Sequence, residues 1–303
     1  TSPRHWQRIN GADFKNANAA VARFENTDLT HTNFSDSYLE EAVFTKLNLK
    51  HITALKADFK SAFFNNVIIE QVNFGESDFS NASFSNVKCS DSKLRNTIFN
   101  NTLFEKIAWT KLDLYGVDFS KSTFKNSSLT DSVLFNANIQ SAKINSTQLV
   151  HNYMEAADLS NSQIYVSDLS RSNLEGAFFK NSTLNKTTIE LANINNSDWQ
   201  KATINYCNLS NSKLENVKLN YASLKFSVLD SVYLKGADLS FADLSNATIT
   251  NSSMDFTILL NIKINDNTRI RNTTLNQVAS LSETTSQFLT AQSQAEEAKA
   301  KEE

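Results

Sequence analysis

Every fifth residue from Ile9 to Ile264 is apolar, 52 positions in succession without one slip of register. The series opens Ile9, Phe14, Ala19, Phe24, Leu29 and closes on Met254, Leu259 and Ile264. Hydrophobic residues make up only 40% of the chain, so a run of that length is a fixed period and not an effect of composition. A second column lies two residues earlier. Of its 51 positions between Ala12 and Ile262, 45 hold Ala, Ser, Thr, Val or Cys; the exceptions are Leu47, Ile52, Ile107, Leu112, Asn152 and Ile262. The other three positions of each unit are mostly Asn, Ser, Asp, Lys and Thr.

A five-residue period leaves few backbones to choose from. On an α-helix the 100° step carries every fifth position around the axis, so no face is built. A plain strand alternates with period two. A short strand and a turn, repeated, put the small and the large position on one interior. The chain therefore reads as one long solenoid, although 303 residues would allow two ordinary domains. With 5 Gly and 1 Pro it does not read as a loop-rich globule.

Units such as Ala57-Asp-Phe-Lys-Ser, Ala157-Asp-Leu-Ser-Asn, Ala237-Asp-Leu-Ser-Phe and Ala242-Asp-Leu-Ser-Asn resemble the pentapeptide-repeat proteins, whose consensus is A(D/N)LXX. The resemblance implies an all-β fold, a right-handed quadrilateral parallel β-helix in which four units make one 20-residue coil. Residues 11–268 are expected to form about 13 such coils, a rod of roughly 60 Å at the spacing of neighbouring strands. Cys89 and Cys207 fall on interior columns, about six coils or roughly 28 Å apart, beyond the about 7 Å that a disulfide spans. They are read as free core thiols. Ile52 and Leu47 are oversized where Ala54 leaves room, and Ile107, Trp109 and Leu112 are expected to swell one coil. Buried Asn152 is expected to hydrogen-bond to backbone.

A β-helix leaves unpaired edges at its ends, so caps are expected. Residues 1–10, with Trp6, are the expected N-terminal cap. The beat fails at Arg269, and 269–303 is read as a C-terminal cap and charged helical tail. Ser280-Leu-Ser-Glu283 reads as a capping box opening a helix through Phe288 and Leu289 to the charged end, with Leu275, Val278, Leu281 and Phe288 over the last coil. A chain beginning at Thr1 rather than Met is read as a processed or excised segment.

Chemistry is hard to find. Net charge is −3, which gives no general attraction to nucleic acid or anionic lipid, and no apolar run reaches the ~18 residues of a membrane span. No nucleophile–base pair, Gly-rich phosphate loop or Cys/His cluster can be assembled. The reading is therefore no enzyme, no cofactor and no metal. His31, His51 and His151 share a column that continues through Asp91, Lys111, Asp131 and Arg171, a solvated charge ladder. One side, holding Lys46, Lys106, Lys125, Lys143, Lys186, Lys225 and Lys263, is mildly basic; the other three are mildly acidic.

Two features remain as candidate sites. One is an acidic ladder, Asp58, Asp78, Asp118, Asp158, Asp198 and Asp238, against which stands the family preference for Asp or Asn at that position. The other is outward aromatics, candidate partner contacts. Tyr115, Phe135 and Tyr153 are expected to cluster with Val133, and Tyr206, Tyr221, Phe226, Tyr233 and Phe241 to ring the C-terminal coils. The leading expectation is a non-catalytic protein-binding rod or scaffold of bacterial effector type, cytoplasmic or secreted, with an unidentified protein partner or a second copy bound through an end or an aromatic patch. The resemblance also implies two alternatives. One is a DNA mimic binding DNA gyrase or topoisomerase IV, as quinolone-resistance members do; the other is the β-helix module of a larger enzyme.

Overall fold

The computed structural model describes residues 9–300, and the expected N-terminal cap with Trp6 falls largely outside them. Two compact units divide between Asp158 and Leu159. Each is a parallel β-solenoid in which a residue pairs with the one 20 positions further on.

In the first unit one side is laddered by three-residue strands, among them Arg23–Glu25, Val43–Thr45, Phe63–Asn65, Ser83–Ser85 and Leu103–Glu105. Phe24 pairs with Phe44, Phe44 with Phe64 and Phe64 with Phe84. The next side carries Asn48–Lys50 through Ser128–Thr130. The remaining two sides are single rungs, such as Asp13–Asn33–Thr53–Asn73 and Tyr38–Asp58–Asp78. The second unit repeats the plan with Gln163–Tyr165, Thr183–Asn185 and Thr203–Asn205 on one side and Val228–Asp230, Thr248–Thr250 and Arg269–Arg271 on another.

The corner between units explains the period. The residue two after each large apolar one takes a left-handed backbone, as at Asn16 (φ 58°), Asn66 (φ 55°) and Asn196 (φ 60°). That turns the chain through a corner and aims the next unit's small and large residues inward again. Asn is the commonest occupant, because its short amide tolerates this region better than other side chains with a Cβ. Glycine fills the corner at Gly11, Gly116, Gly176 and Gly236.

Inside, the large column stacks on itself. In the first unit Phe24, Phe44 and Phe64 lie with ring centroids 4.9 and 4.7 Å apart, and Phe59 on Phe79 at 4.5 Å. These spacings follow the distance between neighbouring strands. Trp109 stands edge-on to Phe84, Phe99 and Phe104 and is fully buried. At Ile107, Trp109 and Leu112 the pairing runs through Lys88, Ala108 and Ser128 with no extra residue in the ladder. Ala54, Leu47 and Ile52 are likewise all buried.

Hydroxyls of the small column bond to backbone, with Ser162 a buried exception whose hydroxyl has no hydrogen-bond partner. Thr97 donates to the Phe74 carbonyl at 3.0 Å and Thr102 to that of Phe79 at 2.8 Å. Asn152 does the same work with an amide, donating to the Leu129 carbonyl at 2.8 Å and accepting from the Ser132 N–H at 2.9 Å. Cys89 and Cys207 are both buried and free.

Near the C-terminus the ladder outlasts the five-residue beat. Thr248 pairs with Arg269, Ser253 with Thr274 and Ile258 with Ala279, a step of 21 in place of 20. One extra residue is absorbed at Asn265–Thr268, where the Thr268 hydroxyl and the Asn265 amide close a local loop. The solenoid thus runs eleven residues past the boundary expected at 268. For the same reason the helix starts later than expected and spans Glu283–Ala300. Ala279 is still bound to Thr257 in the ladder, and the N-cap is Ser282, whose hydroxyl accepts from the Thr285 N–H at 3.1 Å. Leu275, Val278 and Phe288 are half-buried and Leu281 is exposed.

Candidate functional site

The acidic ladder is built by the turn that it punctuates. In the repeat, the residue before each large apolar one points outward, and its side-chain oxygen accepts from the backbone N–H two residues on. Asp58 takes the N–H of Lys60 at 3.0 Å, Asp78 that of Ser80 at 2.8 Å and Asp118 that of Ser120 at 2.8 Å. In the second unit Asp198 takes that of Gln200 at 3.0 Å and Asp238 that of Ser240 at 2.9 Å. Asn33 and Asn208 make the same bond to Ser35 and Ser210. An amide oxygen therefore serves as well as a carboxylate, which accounts for a repeat position that accepts either residue.

The negative charge is also broken up. Ile98 stands between Asp78 and Asp118 in the first unit, and Lys218 between Asp198 and Asp238 in the second. Lys60 bridges Asp58 at 3.0 Å and Asp78 at 3.5 Å; the hydrogen bond to Asp58 and the charge of both carboxylates push its ammonium above the usual lysine range. Asn138 donates to Asp118 at 3.0 Å and Gln140 to Asp158 at 2.5 Å.

The aromatic candidates fall into separate groups. In the first unit Tyr115 and Phe135 stack at 5.7 Å and 11°. The Arg95 guanidinium lies 5.6 Å from the Tyr115 ring and binds Asp113 at 2.5 Å. Tyr153 sits one turn beyond Val133 on the neighbouring row, 57% exposed.

In the second unit Tyr206 stacks on Phe226 at 4.7 Å and 1°, and Tyr221 on Phe241 at 4.8 Å and 3°. The four rings stand on the two corners that bound one side, formed by residues 202–205, 222–225 and 242–245. The polar groups between these ridges satisfy one another. Asn205 accepts from Ser223 at 2.8 Å and from the Lys225 N–H at 3.0 Å, while the Lys225 ammonium meets Asp243 at 3.1 Å. Burial works against the Asp243 carboxylate, but bonds from Ser245 and Lys225 outweigh it and hold its pKa below the usual carboxylate range. Tyr233 stands on a different side, with Lys213 and Ser253 as rung neighbours.

Sequence reasoning missed what kind of position these rings occupy. Tyr206, Tyr221, Phe226 and Phe241 all sit at left-handed corners, with φ between 57° and 62°. So does Phe256, not foreseen as a contact, which lies 5.7 Å from the Lys235 ammonium and is 49% exposed. Among the described residues, every Phe or Tyr with a left-handed backbone lies between Tyr206 and Phe256. The usable signal was position five of the unit turning from Asn to an aromatic.

The imidazoles of His31 and His51 stack at 4.8 Å, and His151 lies 3.4 Å from Asp131. Among the described residues no three His, Cys, Asp or Glu converge as metal ligands, and no helix is long and apolar enough to cross a membrane.

Family models match most of the chain: one described as a pentapeptide repeat region over residues 57–134, and one for eight-copy pentapeptide repeats over 8–45, 167–200, 207–246 and 227–259. The chain belongs to the pentapeptide-repeat family. Among solved structures it is similar to a trypsin-treated form of QnrB1, a plasmid-mediated fluoroquinolone resistance protein. Identity is 15%, coverage 66% of this chain and 92% of that one, and the TM-score 0.47. It is also similar to HetL of the cyanobacterium Nostoc sp., a pentapeptide-repeat protein involved in regulating heterocyst differentiation. There identity is 20%, coverage 78% and 87%, and the TM-score 0.32. No curated protein sequence matches. At these identities the activities of the neighbours stay their own.

Proposed function

We propose that this pentapeptide-repeat protein is a non-catalytic protein-binding module, and that the face between the two aromatic ridges of the second unit is its main contact surface. One observation carries the reading. A left-handed backbone costs a bulky side chain on the order of 1 kcal/mol relative to Asn or Gly, so folding alone does not ask for five rings at such corners. Their clustering between Tyr206 and Phe256 matches the aromatic enrichment of interface hot spots. The floor between the ridges is internally paired and makes few polar demands on a partner.

The acidic-ladder reading has less support, because its carboxylates are engaged in turns and its charge is interrupted. A supercoiling assay with DNA gyrase, with and without a quinolone, addresses it directly: neither inhibition nor protection at micromolar protein rules that role out.

For the leading reading, Tyr206, Tyr221, Phe226 and Phe241 are replaced together by Asn, the residue that suits these corners. Partners retained by the unchanged chain should be lost from the variant. They should persist when Tyr115, Phe135 and Tyr153 are replaced by Ser. An unchanged partner set from the folded Asn variant would reject the ridges as the contact surface.

A further inference from the structure

Along the solenoid each edge is covered in one stereotyped way. A residue of the following turn donates its N–H to one carbonyl and accepts from the N–H two residues further along the same strand. Asn33 does so for the Ala12 carbonyl (3.0 Å) and the Phe14 N–H (2.7 Å), and Thr274 for the Ser252 carbonyl (3.0 Å) and the Met254 N–H (2.9 Å). Beyond the strand Arg269–Arg271 there is no following turn among the described residues, and the helix Glu283–Ala300 lies there instead, touching no other strand. Its Gln292 side chain donates to the Thr268 carbonyl at 2.7 Å and accepts from the Ile270 N–H at 2.8 Å. A primary amide, with one carbonyl and one NH₂, thus makes both bonds that the peptide groups flanking a backbone rung make in the turns below.

We infer that the edge of Arg269–Arg271 is a strand-addition site for an extended acidic segment, and that Gln292 is the plug that keeps it shut. That the edge takes a peptide-like group is shown by the plug itself. The side chains define the rest. Ile270 faces the interior and is buried, while Arg269 and Arg271 on either side of it are exposed. An incoming strand alternates its side chains with period two, so one apolar residue over Ile270 brings a neighbour over the exposed Arg269 guanidinium, where a carboxylate fits. A second copy fits poorly, because pairing the same edge with itself sets Arg269 and Arg271 against like charges. Thr285 in the first turn of the helix is buried, but its apolar Phe288 and Leu289 are only half-buried, so releasing that part of the plug breaks little apolar packing.

The test measures fluorescence anisotropy on the full chain with two short labelled peptides, one alternating Glu and Val, the other Lys and Val. Gln292→Ala removes both bonds; Gln292→Met removes them while keeping the side-chain length, in case the alanine variant fails to fold. The Glu/Val peptide is expected to bind either variant about tenfold more tightly than the unsubstituted chain, equivalent to about 1.4 kcal/mol. The Lys/Val peptide should bind all forms weakly. In the unsubstituted chain, excess Glu/Val peptide should also speed amide exchange over 283–300, as the helix is released. Equal affinity of plugged and unplugged forms, no preference for Glu over Lys, or no change in helix exchange at saturation overturns the proposal. So does sedimentation of the variants as dimers, which would make a second copy the occupant. The partner-capture comparison on the aromatic ridges is independent of each of these outcomes.

Discussion

Asn152 shows how little latitude a single inward residue has. Its amide occupies a position otherwise held by small residues and reaches both the Leu129 carbonyl and the Ser132 N–H, 1% exposed. Replacing it with Ala leaves two buried backbone groups unpaired, at about 1–3 kcal/mol each. Ser should retain most of the stability, since Ser212 in the same column already accepts from the Ala192 N–H at 3.1 Å and donates to the Ile189 carbonyl at 2.6 Å. Urea midpoints for the two variants check this, and an Ala variant as stable as Ser would show that the amide bonds contribute nothing. Trp109 is the counter-case, a buried indole N–H with no hydrogen-bond acceptor, enclosed by phenylalanine rings.

At the scale of the repeating unit, the turn bond predicts which acidic residues matter and how. Asp118→Asn keeps an acceptor for the Ser120 N–H, so its effect on stability should be under about 0.5 kcal/mol. Asp118→Ala removes it and should cost about 0.5–1.5 kcal/mol. Matched thermal melts decide the point; an Asn variant as damaged as Ala would assign the role to the charge. The five-residue beat made the interior columns legible, because burial acts on every unit alike. It left the corners illegible. Left-handed backbone follows from closing a square turn, and no apolar pattern records it. The ladder beyond Arg269 escaped because a one-residue insertion at Asn265–Thr268 breaks the count without breaking the pairing. Gln292 escaped for a different reason: a side chain acting as backbone leaves no periodic trace. The aromatic candidates were found as exposed rings, yet their stacking into ridges required knowing which corners face one side.

Within each unit every turn is held by the one before and the one after, so a thiol deep in the stack reports on the cooperative unit around it. Burial pushes the Cys89 thiol up to about 12, and that of Cys207 likewise. Both should resist Ellman's reagent at pH 8 in the folded protein and react only at the rate of unfolding. Because the folded thiols titrate higher than unfolded ones, near 8.5, the folded state keeps protons that the unfolded chain gives up. Their contribution to stability is therefore complete below about pH 8.5 and falls as pH rises from there toward 12. Rapid labelling at pH 8 without loss of β-structure would contradict this.

The 21-residue step before the final turn bears on how such a chain can change its length over evolutionary time. A turn in the middle of a stack must match the perimeter of two neighbours, whereas the last turn answers to one. Growth or loss by whole 20-residue quanta leaves every interface intact, and a single-residue insertion survives where only one side has to accommodate it. In the second unit the odd residue sits at that place, so the terminal turn is where lineages of this architecture have room to experiment without retuning the stack beneath.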